Sequence, residues 1–304
     1  VWQPAPGWQP LPGGASVSTV GVWAAVEDGR DVVVKRLARP GPDDPPELDD
    51  PRSSAWWRRP AEVGLAGSVA ASPGLRGPAL VRCEEDDDGL VLVHERAAGA
   101  VAVPGLFVAA CLGRFAGARV EDPGWLARGQ LRERLARVER RGGWRSLART
   151  TVADVADHLW RRRTSMLARL DALPQVAQHG DPVPGNLVGV DPGDPSRCVA
   201  VDWATLGTGP VGADLGYWSL SSRESFEPLL EAYVGALPAG LADPDDAAYA
   251  ARVTAVLTVL TRADWALGRV AEGEGALAGK YTHPAVAPHL RAMQRQFPQL
   301  EALL

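Results

Sequence analysis

Two short apolar runs, 20–26 and 31–37, flank an Asp28-Gly29 pair. Asp-Gly between such runs is a strong hairpin signal, because the tightest favoured turn needs positive φ at both central residues. The two runs are predicted to pair as antiparallel strands. The Pro- and Asp-rich stretch 40–51 has no periodicity and reads as a surface loop. From Ser53 onward, Val63, Ala66 and Val69 recur at helical spacing and Pro60 suits a first turn, which predicts a helix reaching about Ala71. Two further strands, 79–83 and 90–95, bracket an acidic turn at 84–89 that reads as a solvated hairpin tip.

Beyond Gly99 the apolar period changes to that of helices. Segments 105–118, 124–141 and 151–170 follow, with Leu131, Leu135 and Val138 aligned on the second. The third has Val152, Val155, Leu159, Met166 and Leu170 aligned, and a capping pattern at Thr151 and Asp154. A short β interlude spans 175–202, and helices resume at 213–220, 226–236, 245–268 and 284–303. There is no internal repeat. The expected fold class is α+β with two lobes: a small β-rich lobe with one main helix over residues 1–96, and a larger helical lobe over 97–304.

Composition removes several function classes. The chain has 304 residues, 46% of them hydrophobic and 23% charged, with a formal net charge of -5. It is therefore too apolar for a disordered chain and lacks the basic excess of a nucleic-acid binder. Cys83, Cys111 and Cys198 are odd in number and far apart, which argues against a disulfide framework and against a zinc cage. The opening VWQPAPGWQP has no basic segment leading into an apolar one, and no apolar stretch is long enough to cross a bilayer. The expectation is a cytoplasmic protein without membrane or nucleic-acid partners.

A bias within the composition is more pointed. Of 32 basic residues only Lys35 and Lys280 are lysine, Asn186 is the single asparagine, and there is no isoleucine. Coding drift in a GC-rich genome produces this pattern, so the few residues that resist it are candidates for function.

The segment His179-Gly180-Asp181-Pro182-Val183-Pro184-Gly185-Asn186 precedes two apolar runs, 187–190 and 198–201, which a Gly/Pro turn separates and Asp202 follows. Folded as an antiparallel hairpin, these runs bring Asn186 opposite Asp202 at one end. An amide oxygen and a carboxylate are hard donors that suit Mg²⁺. Asp181, on a proline-stiffened loop, would face the same place with a carboxylate free to orient a hydroxyl. These are the parts of kinase-type phosphoryl transfer.

His-Gly-Asp-x-x-Pro-x-Asn followed by Val-Asp-Trp resembles the aminoglycoside phosphotransferase family, within the protein-kinase-like fold. Pro182-Val183 stands where Leu-His is commoner, and no functional position is lost. The resemblance implies Asp181 as the catalytic residue and Asn186 and Asp202 as Mg²⁺ ligands. It also implies nucleotide contacts from the Gly13, Gly14, Ser16 and Ser18 loop, from Lys35 on its strand and from Glu62 paired with Lys35. Backbone contacts to adenine come at the hinge, with Glu95 and Ala97. It covers about residues 11–265. His179 reads as a structural brace, and Asp214 as an N-cap steadying the loop after Asp202.

The resulting expectation is an ATP-dependent phosphotransferase acting on a hydroxyl of an antibiotic or a related metabolite, with GTP as a possible donor. The alternative is a catalytically silent nucleotide-binding or scaffold protein, against which stands the joint presence of Lys35, Asp181, Asn186 and Asp202. A metallophosphoesterase would need an upstream Asp-x-His that is absent, and a protein kinase would need an activation segment after Asp202. Residues 206–304 carry 11 acidic against seven basic side chains. That points to a polar, cationic acceptor, with Asp264 and Trp265 as its candidate contacts.

Overall fold

The computed structural model describes residues 2–12, 18–97, 103–140, 151–270, 284 and 287–303. Its N-terminal part is an antiparallel five-stranded sheet in the order β1-β2-β3-β6-β5, formed by Gln9–Pro10 (β1), Thr19–Glu27 (β2), Arg30–Ala38 (β3), Leu80–Asp86 (β5) and Gly89–Glu95 (β6). The predicted hairpin is present: Asp28 and Gly29 both have positive φ, 48° and 75°, the conformation of a two-residue type I′ turn. The sheet has two unlike faces. Val32, Val34, Val91 and Val93 pack under Trp2 and Trp8, while Leu37, Leu90 and Leu92 pack against Trp57 and Ala61 beside helix α1, Arg59–Ala66.

Helix α1 is shorter than the apolar spacing predicts. Gly67 takes a left-handed conformation (φ 61°) and ends it, so Val69 lies beyond the helix. The segment before α1 instead folds against the C-terminal part. Arg59 is fully buried, and its guanidinium donates to the carbonyls of Trp125 (2.9 Å), Ala204 (2.9 Å), Pro51 (2.7 Å) and Ser53 (2.6 Å). Burial lowers its pKa to about 10, partly offset by the charges of Glu133 and Asp50. It therefore stays cationic at neutral pH and ties α1 to both halves of the chain.

The C-terminal part is mainly helical. Gly105–Phe115 (α2), Gln130–Arg140 (α3), Thr151–Asp171 (α4), Ala213–Ser219 (α5), Phe226–Val234 (α6), Pro244–Val270 (α7), Ala287–Arg295 (α8) and Phe297–Glu301 (α9) surround two small sheets. One sheet is β4-β10-β9, from Leu75–Arg76 (β4), Leu187–Asp191 (β9) and Asp194–Ala200 (β10). The other is β7-β11-β8, from Ala127–Arg128 (β7), Gln175–Gln178 (β8) and Gly207–Pro210 (β11). Two expectations fail here for one reason. Ala127 and Arg128, predicted as helix, pair in parallel with Gly207 and Thr208, and β4, not foreseen, pairs in parallel with Cys198 and Val199. Two-residue strands leave no periodicity to read. The terminal helix expected over 284–303 is interrupted at Gln296, just before Pro298 at the start of α9. Among the described residues no helix is long and apolar enough to cross a membrane.

Two measurements follow from these contacts. Arg59→Met should lower the unfolding free energy by about 3 kcal/mol, because it leaves four carbonyls without their donor. An unchanged urea midpoint would show that water replaces the guanidinium. His94, across from Val33 on β6, has its pKa lowered to about 4 by burial and by the nearby Lys35 charge. The unfolded chain therefore binds the extra proton between pH 6.5 and 4, and stability contributed by neutral His94 is lost as pH falls through that window. The difference in stability between wild type and His94→Gln should shrink on acidification from pH 7 to 4.

Candidate active site

The hairpin β9–β10 forms as its apolar pattern requires, with Ala200 opposite Leu187 and Val199 opposite Gly189. Just beyond it, the Val201 amide donates to the Asn186 carbonyl at 2.8 Å. Asn186 and Asp202 therefore leave the same end of the hairpin one position apart. Asp202 itself adopts a left-handed backbone (φ 59°, ψ 61°), a conformation uncommon outside glycine, asparagine and aspartate, before a single 3-10 turn at Trp203–Thr205.

Asn186 Nδ2 donates to the Asp181 carbonyl (3.0 Å) and to Asp181 Oδ2 (3.1 Å). The amide orientation this requires leaves Asn186 Oδ1 and Asp181 Oδ1 without hydrogen-bond partners among the described residues. Asp202 Oδ1 takes Lys35 Nζ at 2.7 Å. Burial opposes ionisation of Asp202, but the charge and hydrogen bond of Lys35 outweigh it and hold the carboxyl below its ordinary range. Asp181–Asn186 and Lys35–Asp202 thus form two contact pairs at the same end of the hairpin, linked through the backbone bond from Val201 to Asn186. Two of their oxygen donors, Asn186 Oδ1 and Asp202 Oδ2, suit a hard cation that completes its shell with phosphate and water. Among the described residues no group of three or more His, Cys, Asp or Glu could hold a metal without such help.

The loop that carries Asp181 is braced from behind. The Asp214 carboxylate, buried near the start of α5, accepts the amides of His179 (2.7 Å) and Gly180 (3.0 Å). Burial raises the Asp214 pKa, and these two amides act in the opposite direction. The expected N-cap role is corrected: Gly212 is the cap residue of α5, no side chain caps it, and Asp214 grips the loop before Asp181 instead of the one after Asp202. His179 is fully buried against Trp203, ring centroids 4.6 Å apart. Its Nδ1 accepts the Asp181 amide (3.3 Å), so the ring hydrogen sits on Nε2 and donates to the Val201 carbonyl (3.0 Å). One side chain thereby joins the loop to the hairpin, as its expected bracing role requires. Gly180 has φ 82°, and a Cβ there would stand 2.1 Å from Gln130 Nε2. Gln130, which the sequence did not single out, fills that space and donates to the Thr205 carbonyl at 2.7 Å.

Other expected contacts differ. Glu62 does not pair with Lys35: Arg58, one helical turn earlier, donates to it at 2.9 Å and also to Glu85 at 2.7 Å. Arg58 shares an exposed edge with both acids, whereas Lys35 points across to Asp202. Ser18 is buried, and its carbonyl accepts the Ala38 amide (2.7 Å). The Glu95 amide is spent on the Ala79 carbonyl (3.0 Å), and Ala97 ends a described stretch. Gly13, Gly14, Ser16 and the Trp265 side chain lie outside the described residues.

A cavity of about 80 Å³ opens against Gly180, walled by α3, α4, α5 and α7. Its wall carries Arg132 and Arg134 together with Asp171 and Asp214. Of the acids counted in the C-terminal part, Asp214 lines this cavity, whereas Glu227 pairs with Arg252, Glu224 accepts the Gly105 amide, and Asp245 is exposed at the start of α7. Asp264, half-buried on α7, does not line the cavity.

A model of the phosphotransferase enzyme family matches residues 7–267. Among solved structures, a choline/ethanolamine kinase family protein from Mesorhizobium loti is 17% identical, with a TM-score of 0.58 over 97% of this chain and 92% of the other. Choline kinase LicA from Streptococcus pneumoniae is 14% identical, with a TM-score of 0.58 over 97% and 93%. The GDP and kanamycin complex of APH(2")-IIia is 12% identical, with a TM-score of 0.60 over 95% and 92%. No curated protein matches the chain. The protein-kinase-like architecture is thus shared with small-molecule kinases, and the family match over residues 7–267 assigns the chain to the phosphotransferase enzyme family.

Proposed function

We propose that the protein transfers the γ-phosphoryl group of ATP to a hydroxyl of a small polar molecule. The observation that carries this reading is the pair Asp181–Asn186 beside the pair Lys35–Asp202, which together gather a carboxylate oxygen, two oxygen donors and a cation at one end of a hairpin. Residues 1–96 serve as the nucleotide lobe and 97–304 as the catalytic and acceptor lobe. Lys35 leaves Asp202 to contact the α and β phosphates, since a cation free to turn on a flexible stem can exchange a carboxylate for a phosphate. Asn186 Oδ1 and Asp202 would hold Mg²⁺, which when bound would neutralise phosphate charge.

Asp181 has one oxygen held by Asn186 and the other free, so it is oriented without being occupied. Its free oxygen accepts the acceptor's hydroxyl proton as the hydroxyl oxygen bonds to the γ-phosphorus. The bond from that phosphorus to the bridging oxygen breaks, and ADP leaves with the electron pair. The LicA and Mesorhizobium neighbours are named for choline and ethanolamine, and the APH(2")-IIia complex holds kanamycin. These names support a small-molecule acceptor here. The cationic acceptor expected from overall charge gains no support from the cavity wall.

Purified protein incubated with Mg-ATP and a panel of alcohols, measured by ADP release above an ATP-only control and by product mass, tests the assignment. Absence of acceptor-dependent ADP across a broad panel, with nucleotide still bound, would favour the silent reading. Asp181→Asn should bind nucleotide as wild type does while turnover falls by about two to four orders of magnitude. Lys35→Arg should not restore the activity lost in Lys35→Ala, because a planar fork does not replace a point charge at the phosphates. Wild-type kcat/KM in Lys35→Arg would remove the lysine from the mechanism.

A further inference from the structure

The backbone before Asp181 is held by two side chains of opposite charge. The Asp214 carboxylate accepts the amides of His179 and Gly180. The Arg134 guanidinium donates to the Gly180 carbonyl at 3.2 Å, which belongs to the peptide that leads into Asp181. The amide of that same peptide is taken by His179 Nδ1. Among the described residues Arg134 makes no other hydrogen bond and has no carboxylate within ion-pair distance. Its charge is therefore spent on the loop, and through space it opposes the effect of burial on the Asp214 carboxyl.

Arg134 is itself held in place. Its guanidinium lies over the Tyr217 ring, 4.5 Å from the centroid, and Arg262 reaches the same ring from α7 at 4.4 Å. Stacking on a ring restrains the plane of a guanidinium. Helix α3, which carries Arg134, is anchored in turn: the Glu133 carboxylate accepts the Ser54 amide at 3.1 Å, and Arg140 pairs with Glu47 at 2.7 Å.

A second residue of α3 acts on the other half of the site. Gln130, one helical turn before Arg134 and so on the same face, donates to the Thr205 carbonyl at 2.7 Å, just beyond Asp202. Helix and loop meet too closely for any side chain at position 180: a Cβ there would stand 2.1 Å from Gln130 Nε2 and 2.7 Å from the Thr205 carbonyl oxygen. One helix face thus touches both the segment before Asp181 and the segment after Asp202. The separation of those two carboxylates depends on that face.

Resting on the phosphotransferase reading above, we propose that Arg134 and Gln130 are positioning residues for the transfer, and that α3 sets where Asp181 stands relative to Asp202. Arg134 does so by a charge-assisted bond to the Gly180 carbonyl, and Gln130 by its bond to the Thr205 carbonyl. Both act through the backbone and not through contact with a substrate. A displacement of about 1 Å at a reacting group costs on the order of 10²-fold in rate, so the effect falls on kcat and not on nucleotide binding.

Full-length wild type, Arg134→Gln, Arg134→Lys, Gln130→Leu and Arg262→Gln are compared in two measurements. One is steady-state turnover with Mg-ATP on the compound of the alcohol panel that gives the most acceptor-dependent ADP. The other is amide hydrogen exchange at residues 179–181 without nucleotide, followed by mass spectrometry. Arg134→Gln should lower kcat by about 10- to 100-fold, the loss of one charge-assisted hydrogen bond, with the KM for ATP unchanged. The same variant should speed exchange at 179–181 by at least about tenfold. Arg134→Lys keeps the charge and a donor, and its kcat should exceed that of Arg134→Gln by at least about threefold. Gln130→Leu should lower kcat by about three- to tenfold, and it carries the comparison if Arg134→Gln does not fold. Arg262→Gln alters the same stack on Tyr217 without touching the loop, and should leave kcat and exchange as in wild type.

Wild-type kcat or wild-type exchange in Arg134→Gln overturns the proposal. So does an equal fall of kcat in Arg262→Gln with no recovery in Arg134→Lys, because Arg134 then serves only to pack on Tyr217. If wild type phosphorylates no compound, the phosphotransferase reading fails and exchange alone decides. Faster exchange in Arg134→Gln that Arg134→Lys restores then supports the hold of α3 on the loop, and unchanged exchange overturns it.

Discussion

One buried carboxylate holds the site in shape. Asp214 carries its charge into the interior, where an unpaired carboxylate is costly, and it is tolerated because the amides of His179 and Gly180 converge on it. That grip fixes the backbone immediately before Asp181. From there the order spreads by contact: the His179 ring passes the constraint to Val201 and so to the Asp202 end of the hairpin, and the Thr205 hydroxyl returns it by donating to the His179 carbonyl at 2.7 Å. Each link is a hydrogen bond between groups that have little alternative partner in the interior. The loop is therefore rigid without being part of any regular strand.

The two halves of the molecule meet through cations of different character. Arg59 is buried, spreads its donors over four carbonyls and is committed to them. Lys35 is a point charge at the cleft, held by a single carboxylate oxygen of Asp202. The first is suited to permanent attachment and the second to exchange, because one contact is replaced by a phosphate far more readily than four. Arg58 completes the division of labour on the rim, where its pairing with both Glu62 and Glu85 leaves Lys35 free to face Asp202.

The amino-acid sequence by itself determined the strands β2, β3, β5 and β6, the hairpin 187–200 and the convergence of Asp181, Asn186 and Asp202, because these depend on period, turn chemistry and short separations along the chain. Lys35 was legible for a similar reason, standing at the end of a valine-rich strand in a chain nearly devoid of lysine. Tertiary structure alone decided the partner of Glu62, the reach of Asp214 back to residues 179 and 180, and the two-residue strands β4 and β7, which exist only because β10 and β11 arrive beside them. It also decided which charged side chains line the cavity, Arg132 and Arg134 with Asp171 and Asp214. A count over residues 206–304 is negative, yet that count does not reveal that Asp214 lies against the cavity while Asp245 is exposed, or that Arg134 and Arg262, 128 positions apart in the sequence, meet on one tyrosine. Net charge is a sum over a segment, whereas the field in a cavity is set by the few side chains whose positions the fold brings within several ångströms of it.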